Sequence, residues 1–571
     1  MIGVIAKPEQ TAVVEEFFEL FKTPWEFYDQ DRVYDVVLAT SDHLPDVDAT
    51  LLLVYGSAVK NSDAASGIDV GARGRGVMLD CHGSSLPIYG PFATFRARDK
   101  ADNAVVTASG GIAGLRFESE RTFTIRLGYD LFDEARLLIS AGQPVENAHI
   151  PTLDAHIEML REWILSAGVP LLEIPPVPSG HSFVVCLTHD IDFVGIRNHF
   201  FDHSMWGFVY RSSIGGVRNF VRRRISSERL FRMWRALVSL PFVYLGWAKD
   251  FWNPFEWYLR VEKDLPVTYF LIPFKGRAGE RVPNDDQYRA AAYDVSDLPE
   301  WTAILTKAGC ELGVHGIDAW HSADKGREEL ARIGTVTGQS GVGIRMHWLL
   351  HDTNTAFVLE QAGYAYDSTA GYNETIGYRN GTTQVFRPLD AQALLELPLH
   401  IQDGALFFSN RLDLSEPEAW ARCGQLIGNA GRFGGVLTLV WHDRSHGPER
   451  FWGDFYARLV QTLKSANAWF GTASQVVGWF RKRREVRFGQ SESASGAGTS
   501  LLYSGEAIDP PLRIRLHHPS VVNRLEPRRE PPAAHIEFAW NGRTSLDVDR
   551  LLKGMSGRPS GLPRTELCPQ W

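Results

Sequence analysis

A chain of 571 residues is too long to organise around one hydrophobic core, so two or three domains are expected. Apolar residues at 44% and charged residues at 22% are ordinary values for folded proteins and exclude a chain held open by its own charge. A net charge of −9 argues against nucleic acid as the main partner and favours small or neutral substrates.

From Ile2 to Pro176, the strand-length apolar runs RVYDVVLATS, TLLLVYG and FTIRLGY alternate with helical periodicity in EQTAVVEEFFELFK and LDAHIEMLREWILSAG. That alternation predicts a three-layer α/β domain over residues 1–176. GARGRG at 71–76 lacks the G-x-G-x-x-G spacing of a nucleotide loop. PLLEIPPVPSG then reads as a proline-rich linker.

The next stretch, FVVCLTHDID at 183–192, is an apolar run that stops abruptly at Thr188, His189, Asp190 and Asp192. It reads as a buried strand whose C-terminal end carries chemistry, because ionised carboxylates are costly to bury without a compensating cation. A βα rhythm resumes with VTYFLIPF, CELGVH, GIRMHW, LLELPL and GVLTLVWH, and helical stretches lie between these runs. Repeated units of this kind predict a distorted (β/α) barrel over 177–488, with function at the C-terminal strand ends. Asp190, Asp192, His315, Arg345 and His442 all fall at or just after such ends.

The barrel is interrupted at 193–252. Between Arg211 and Arg235 there are eight arginines against one acid, Glu228, with Phe220, Phe231 and Trp234 interleaved, followed by ALVSLPFVYLGWA. The sequence favours a lid over the barrel mouth; the alternative is peripheral membrane contact through 211–248, since basic and aromatic residues beside an apolar face mark a surface-bound helix. After Gly489, GQSESASGAGTS has linker composition, and PPLRIRLHH and AAHIEFAWNG alternate like strands. Residues 489–571 therefore predict a linker and a small β appendage, ending in a frayed SGRPSGLPRTELCPQW.

Cys81, Cys186, Cys310, Cys423 and Cys568 are scattered with no C-x-x-C pair and read as reduced thiols, and MIGVIAKPEQ lacks the features of a secretory leader. Together they predict a cytoplasmic protein. No apolar run reaches bilayer-spanning length.

Asp and His at the mouths of parallel strands are the makings of a divalent-metal site with open positions for water. His315 and His321, in GVHGIDAWHS, are six apart, which on one helix would turn their side chains about 120° from each other, so the pair works only across a loop.

THDID, GVHGIDAWH, GIRMHWL, YDSTAGYNETIGYRNGT and LTLVWHD occur in the order found in the NodB-like polysaccharide deacetylases, carbohydrate esterase family 4. THDID looks closest to the intracellular branch with an H-D-x-D first motif. The resemblance covers about residues 180–485. It implies a barrel that removes acyl groups from the amide nitrogen of sugars with a divalent metal such as zinc. It further implies Asp190 as catalytic base, Asp192, His315 and His321 as metal ligands, Arg345 as the residue orienting the base and His442 as general acid. His203, His347 and His351 stand as alternatives to His321. Trp320, Trp348 and Trp441 flank these positions as candidate sugar-stacking residues.

The leading expectation is a metal-dependent hydrolase acting on an N-acyl amino sugar in a polysaccharide or lipid-linked glycan precursor. The alternatives are a deformylase or other amidohydrolase on a small amide, and a catalytically silent glycan-binding scaffold. An acid, a base and a base-orienting arginine together weigh against the scaffold.

Overall fold

The computed structural model describes residues 1–81, 84–97, 101–118, 122–282, 286–493, 496–519 and 535–547. In the N-terminal part, a nine-stranded sheet carries the strands Trp25–Phe27, Ile2–Ile5, Val36–Ala39, Leu51–Tyr55 and Phe123–Leu127 in parallel, then continues antiparallel through Ile112–Glu118 and Asp102–Thr107 to the hairpin of Ile68–Cys81 and Ser84–Ala97. The three apolar runs predicted as strands lie in the parallel half. The helices Thr11–Phe21, Leu131–Ser140 and Thr152–Ser166 share one core with Ile2, Val36, Leu51 and Leu53. Val37 and Leu52, of opposite parity in their strands, face a small separate cluster with Tyr28, Tyr34 and Ala49. The domain is α/β as expected but has two layers rather than three, because its helices gather on one face of the sheet. GARGRG lies inside the hairpin strand Ile68–Cys81 and opens no helix, so it has no phosphate-binding context.

The second sheet is parallel. Its order is Ile344–Met346, Glu311–Gly316, Val267–Leu271, Val184–Ile191, Val436–Val440 and Ile401–Gln402, with Trp469–Phe470 also beside Val184–Ile191. Every residue of Val184–Ile191 is buried, as a strand covered on both faces requires. Beyond Ile344 the curl continues through single bridges, Ile344 to Asp367 and Asp367 to Glu396. The backbone of His400 reaches Thr438 from the other side. The sheet is a distorted barrel nearly closed on itself. LLELPL, expected as a strand, contributes only the bridge at Glu396, and the regular pairing falls later, at Ile401–Gln402. His189 is a core histidine: its Nδ1 lies 2.7 Å from the Trp441 carbonyl and its Nε2 2.7 Å from Glu262.

Buried polar contacts lock the two parts together. Asp154 accepts hydrogen bonds from Thr382 Oγ1 (2.8 Å) and from the backbone and hydroxyl of Thr383 (2.7 and 3.0 Å). Glu16 forms a two-pronged pair with Arg484, and Arg483 spreads its guanidinium over the carbonyls of Glu19, Leu20 and Ile174. The linker segment Leu171–Glu173 pairs with Leu512–His517, which pairs in turn with His535–Trp540, so the predicted β appendage incorporates the interdomain linker. Arg487–Ser493 and Gly496–Leu502 pair as a hairpin where composition alone reads as linker. A two-stranded ladder is built from backbone groups and tolerates small polar residues. Cys81, Cys186, Cys310 and Cys423 are buried free thiols, while Cys568 and the predicted frayed end lie outside the described residues. No helix among the described residues is long and apolar enough to cross a membrane.

Asp154→Ala removes an acceptor that serves four buried donors, Gln384 Nε2 being the fourth, and such losses cost on the order of 3 kcal/mol. The urea midpoint of the whole chain should fall accordingly; an unchanged midpoint would show that the contacts between the parts contribute nothing to stability.

Candidate metal centre and active site

Because the barrel strands are parallel, their C-terminal ends open on one side, and the functional side chains collect there. Asp190, buried near the end of Val184–Ile191, accepts a hydrogen bond from Arg345 Nη1 at 3.0 Å. The same nitrogen reaches Thr188 Oγ1, while Nε and Nη2 are held by the carbonyl and hydroxyl of Ser368 at 2.9 and 2.8 Å. Phe270 lies under the guanidinium, 4.6 Å away. Arg345 is fully buried and anchored from three sides, so it fixes the Asp190 carboxylate without room to swing away.

Asp192, one residue past the strand, points its Oδ1 at His315 Nε2 and His347 Nε2, each 3.2 Å away. The Asp192 backbone N–H donates to Asp443 Oδ1 at 3.2 Å. His315 ends Glu311–Gly316, and its Nδ1 faces the Arg345 carbonyl at 3.0 Å. A carbonyl can only accept, so Nδ1 carries a proton, and Nε2 is the nitrogen turned to the carboxylate. Burial pulls the His347 pKa down to about 3 against the charge of Asp192, so this ring is neutral. Asp192 Oδ1 is enclosed yet makes no properly aligned hydrogen bond. A carboxylate oxygen and two imidazole nitrogens thus converge, with their ligand atoms within 4.8 Å of one another. Two histidines and a carboxylate with open positions are a donor set suited to zinc or a similar divalent cation, and the residues present fit such an ion.

His442, just past Val436–Val440, places its Nδ1 2.5 Å from Asp403 Oδ1, and its backbone N–H donates to Asp403 Oδ2 at 3.0 Å. Ser445 also donates to Asp403. Burial works against a charged His442, but the charge and hydrogen bond of Asp403, with the carboxylates of Asp192 and Asp190 beyond, raise its pKa to about 10. The imidazole is therefore a cation at neutral pH with Nε2 free to give a proton. Asp443 is pushed up to about 7, by burial first and then by the charge of Asp192.

The structure thus brings together Asp190, Asp192, His315, Arg345 and His442, but not His321. His321 sits in the turn after its strand with Nε2 3.3 Å from Asp318. The place expected for it is taken by His347, one of the alternatives, which immediately follows Ile344–Met346. Of the other two alternatives, His203 lies against Tyr288 and His351 beside Arg379. Trp441 does not fit the stacking role: it is fully buried and lies parallel to Phe455 with centroids 6.0 Å apart, so its face is covered. Trp320 is half-buried and packs on the barrel core, and Trp348, also half-buried, adjoins His347 in a turn with left-handed backbone at φ 64°.

Sequence reasoning missed Asp403 and Asp443. Asp403 ends the apolar run LPLHIQD, a signal obscured because the sequence places the strand at 394–399 and it lies at Ile401–Gln402. Asp443 adjoins His442 in WHD and is distinguished only by its burial.

The site is a candidate mononuclear metal centre flanked by the buried carboxylate of Asp190 and the imidazolium of His442, at the mouth of a parallel barrel. No family model and no curated protein matches the chain. Among solved structures, a candidate polysaccharide deacetylase from Mycobacterium smegmatis is 18% identical with a TM-score of 0.33, over 54% of this chain and 95% of the other. The carbohydrate deacetylase Agd3 is 9% identical with a TM-score of 0.36, over 96% and 99%. The PuuE allantoinase is 14% identical with a TM-score of 0.31, over 53% and 92%. Likenesses this distant carry no inference about activity, and the functional reading rests on the site.

If the three convergent atoms bind the ion, His347→Ala should reduce stoichiometric zinc content, measured by plasma emission on dialysed protein, to the background of a metal-free control. His321→Ala should retain it. The opposite pattern would reinstate His321 as ligand.

Proposed function

We propose that the protein is a metal-dependent hydrolase of the NodB-like type that removes an N-acyl group from an amino sugar. The observation that carries the reading is the arrangement of Asp192, His315 and His347 around one point, with Asp190 and His442 on neighbouring strand ends and each tied to its own partner. A bound divalent cation supplies a water of lowered pKa and polarises the amide carbonyl.

The chain's own residues account for the proton transfers. Asp190 accepts the proton of the attacking water on the carboxylate oxygen that Arg345 leaves free, and the anchored guanidinium keeps that oxygen in line. His442 enters the cycle as the imidazolium and delivers the Nε2 proton to the departing nitrogen. Asp403, bonded to Nδ1, fixes the ring orientation and keeps the cation stable until the transfer. Asp403 in turn is held ionised in spite of its burial by His442 and by the Ser445 hydroxyl. Base and acid are thereby kept in opposite protonation states at one pH, as amide hydrolysis requires. A glycan scaffold would have no use for this separation.

Asp190→Asn should leave the metal bound, since Asp192 is untouched, and lower kcat by about 10² to 10⁴ on a chromogenic N-acetylglucosamine oligomer. Full activity in this variant would remove Asp190 from the role.

His442 acts only while protonated, so kcat should fall as pH rises through its raised pKa. Asp403→Asn removes the main source of that elevation and should move the alkaline limb of the kcat profile down towards the imidazole value of about 6.5. An unmoved limb would show that another group sets it.

A further inference from the structure

The insertion between the first two long barrel strands carries a surface that neither the site nor the fold uses. It consists of the helix His203–Tyr210, a π turn at Arg211–Gly215, the helix Gly216–Val221 and the longer helix Ser227–Tyr244. These pack on one another through a small core of Met205, Phe208, Ala236, Leu240, Val243 and Trp252. Fourteen of the 24 large apolar side chains exposed among the described residues fall between Phe200 and Trp247. A patch of that density on one element marks an interaction surface rather than ordinary surface composition.

The pattern is regular. On Ser227–Tyr244, Phe231, Trp234, Val238 and Phe242 are exposed and Leu245 follows them. At 3.6 residues per turn these five positions lie within about 80° of arc, on the side opposite the buried Met233 and opposite Ala236, Leu240 and Val243, which face the small core. The preceding helical segment repeats the arrangement with Trp206, Tyr210, Ile214, Val217 and Val221 exposed at spacings of three and four. At one end the rings of Phe200, Phe201 and Trp206 touch in series, Phe200 meets Tyr244, and Phe242 meets the exposed Trp247. Each helix is therefore apolar on two sides, one satisfied by its neighbour and one facing outward. A lid closed on the barrel would have buried the outer stripe.

Charge selects the occupant. Between Phe200 and Trp247 there are eight arginines and two acids, Asp202 and Glu228. Asp202 is committed to capping His203–Tyr210 and to His199, and Glu228 to Arg232. Arg218, Arg222, Arg223, Arg224 and Arg235 are exposed and form no ion pair with any described residue. Exposed aromatic stripes interleaved with unpaired arginines, on a chain whose overall charge is −9, fit an anionic lipid surface: apolar rings enter the headgroup boundary and guanidinium groups meet the phosphates. A second copy of this net acidic chain offers no comparable field of phosphates, and a neutral glycan offers none.

We propose that the insertion docks the protein on the surface of an anionic bilayer, holding the barrel mouth beside it. The placement follows from connectivity. The insertion departs from Phe193, next to Asp192, and Arg444, two residues after His442, stacks on both Phe193 and Trp252 at the insertion's base, at 3.8 and 4.8 Å. The lipid-facing stripe and the site thus share one rim of the barrel. The assignment does not depend on the hydrolytic reading.

The test is sedimentation of the full chain with vesicles of phosphatidylcholine alone and of phosphatidylcholine mixed equally with phosphatidylglycerol. Binding should require phosphatidylglycerol and weaken as salt is raised. Reversing Arg222, Arg223 and Arg224 to Glu should weaken partitioning on the order of a hundredfold. Trp234→Ser with Phe242→Ser and Trp247→Ser should weaken it at low salt as well, with circular dichroism unchanged because all three positions are exposed. In the wild type, brominated lipid chains should quench tryptophan fluorescence, a readout independent of any variant's folding. Equal binding to both vesicle types, no binding to either, or a concentration-dependent dimer abolished by the tryptophan and phenylalanine changes would overturn the proposal, the last by assigning the face to a second copy.

Discussion

The arrangement of this site depends on one electrostatic constraint: a parallel barrel that gathers carboxylates at its strand ends must also gather cations, because buried negative charge without compensation is too costly to keep. Each acid has its own solution. Asp190 is answered by Arg345, a permanent charge braced by Ser368 and Phe270, and Asp403 by His442, whose charge comes and goes with its proton. Asp192 faces the imidazoles of His315 and His347, and burial keeps His347 uncharged. The two cations differ in how readily they give up their charge, and on the reading proposed above that difference separates the base from the acid. Asp443, beside Asp192 with one buried oxygen unpartnered, is left close to neutrality instead.

What the sequence made legible was what repeats or stops abruptly. The βα rhythm predicted the barrel, and the polar residues ending apolar runs located Asp190, Asp192, His315, Arg345 and His442 at its mouth. Chain spacing could not decide between His321 and His347. His347 reaches the centre because its strand pairs with the one bearing His315, so that His315 and Arg345 are in register, and the two rings end 4.8 Å apart. That proximity is a property of pairing across strands and leaves no trace in distance along the chain. Asp403 escaped for a related reason: Ile401–Gln402 is a two-residue strand, too short to produce periodicity. Trp441 looked available because it neighbours His442, yet adjacent residues of a strand point to opposite sides, and it faces the core.

Among the described residues the N-terminal sheet contributes no side chain to the site, but its contacts are not incidental to it. The stretch Tyr372–Gln384 runs between the barrel and the N-terminal part: Asn373 holds the Trp348 carbonyl, Tyr372 donates to the Gln143 carbonyl, and Thr382 and Thr383 are fastened to Asp154. The turn that presents His347 is thus braced, through Trp348, by a segment whose other end is fixed in the neighbouring part.

The small sheet formed by Leu171–Glu173, Leu512–His517 and His535–Trp540 has a consequence for how the chain is made. Its middle strand comes from the late sequence, and His517 meets Glu173 across 344 residues. During synthesis, the edge at Leu171–Glu173 leaves the ribosome tens of seconds before its partner exists, at the usual elongation rates. Over that interval the strand edge and the side chain of Leu172, which packs with Leu512, Ile514 and Leu516, await their partners, whereas Leu171 is already covered by the N-terminal core. The small sheet is complete only once Leu512–His517 and His535–Trp540 have been made.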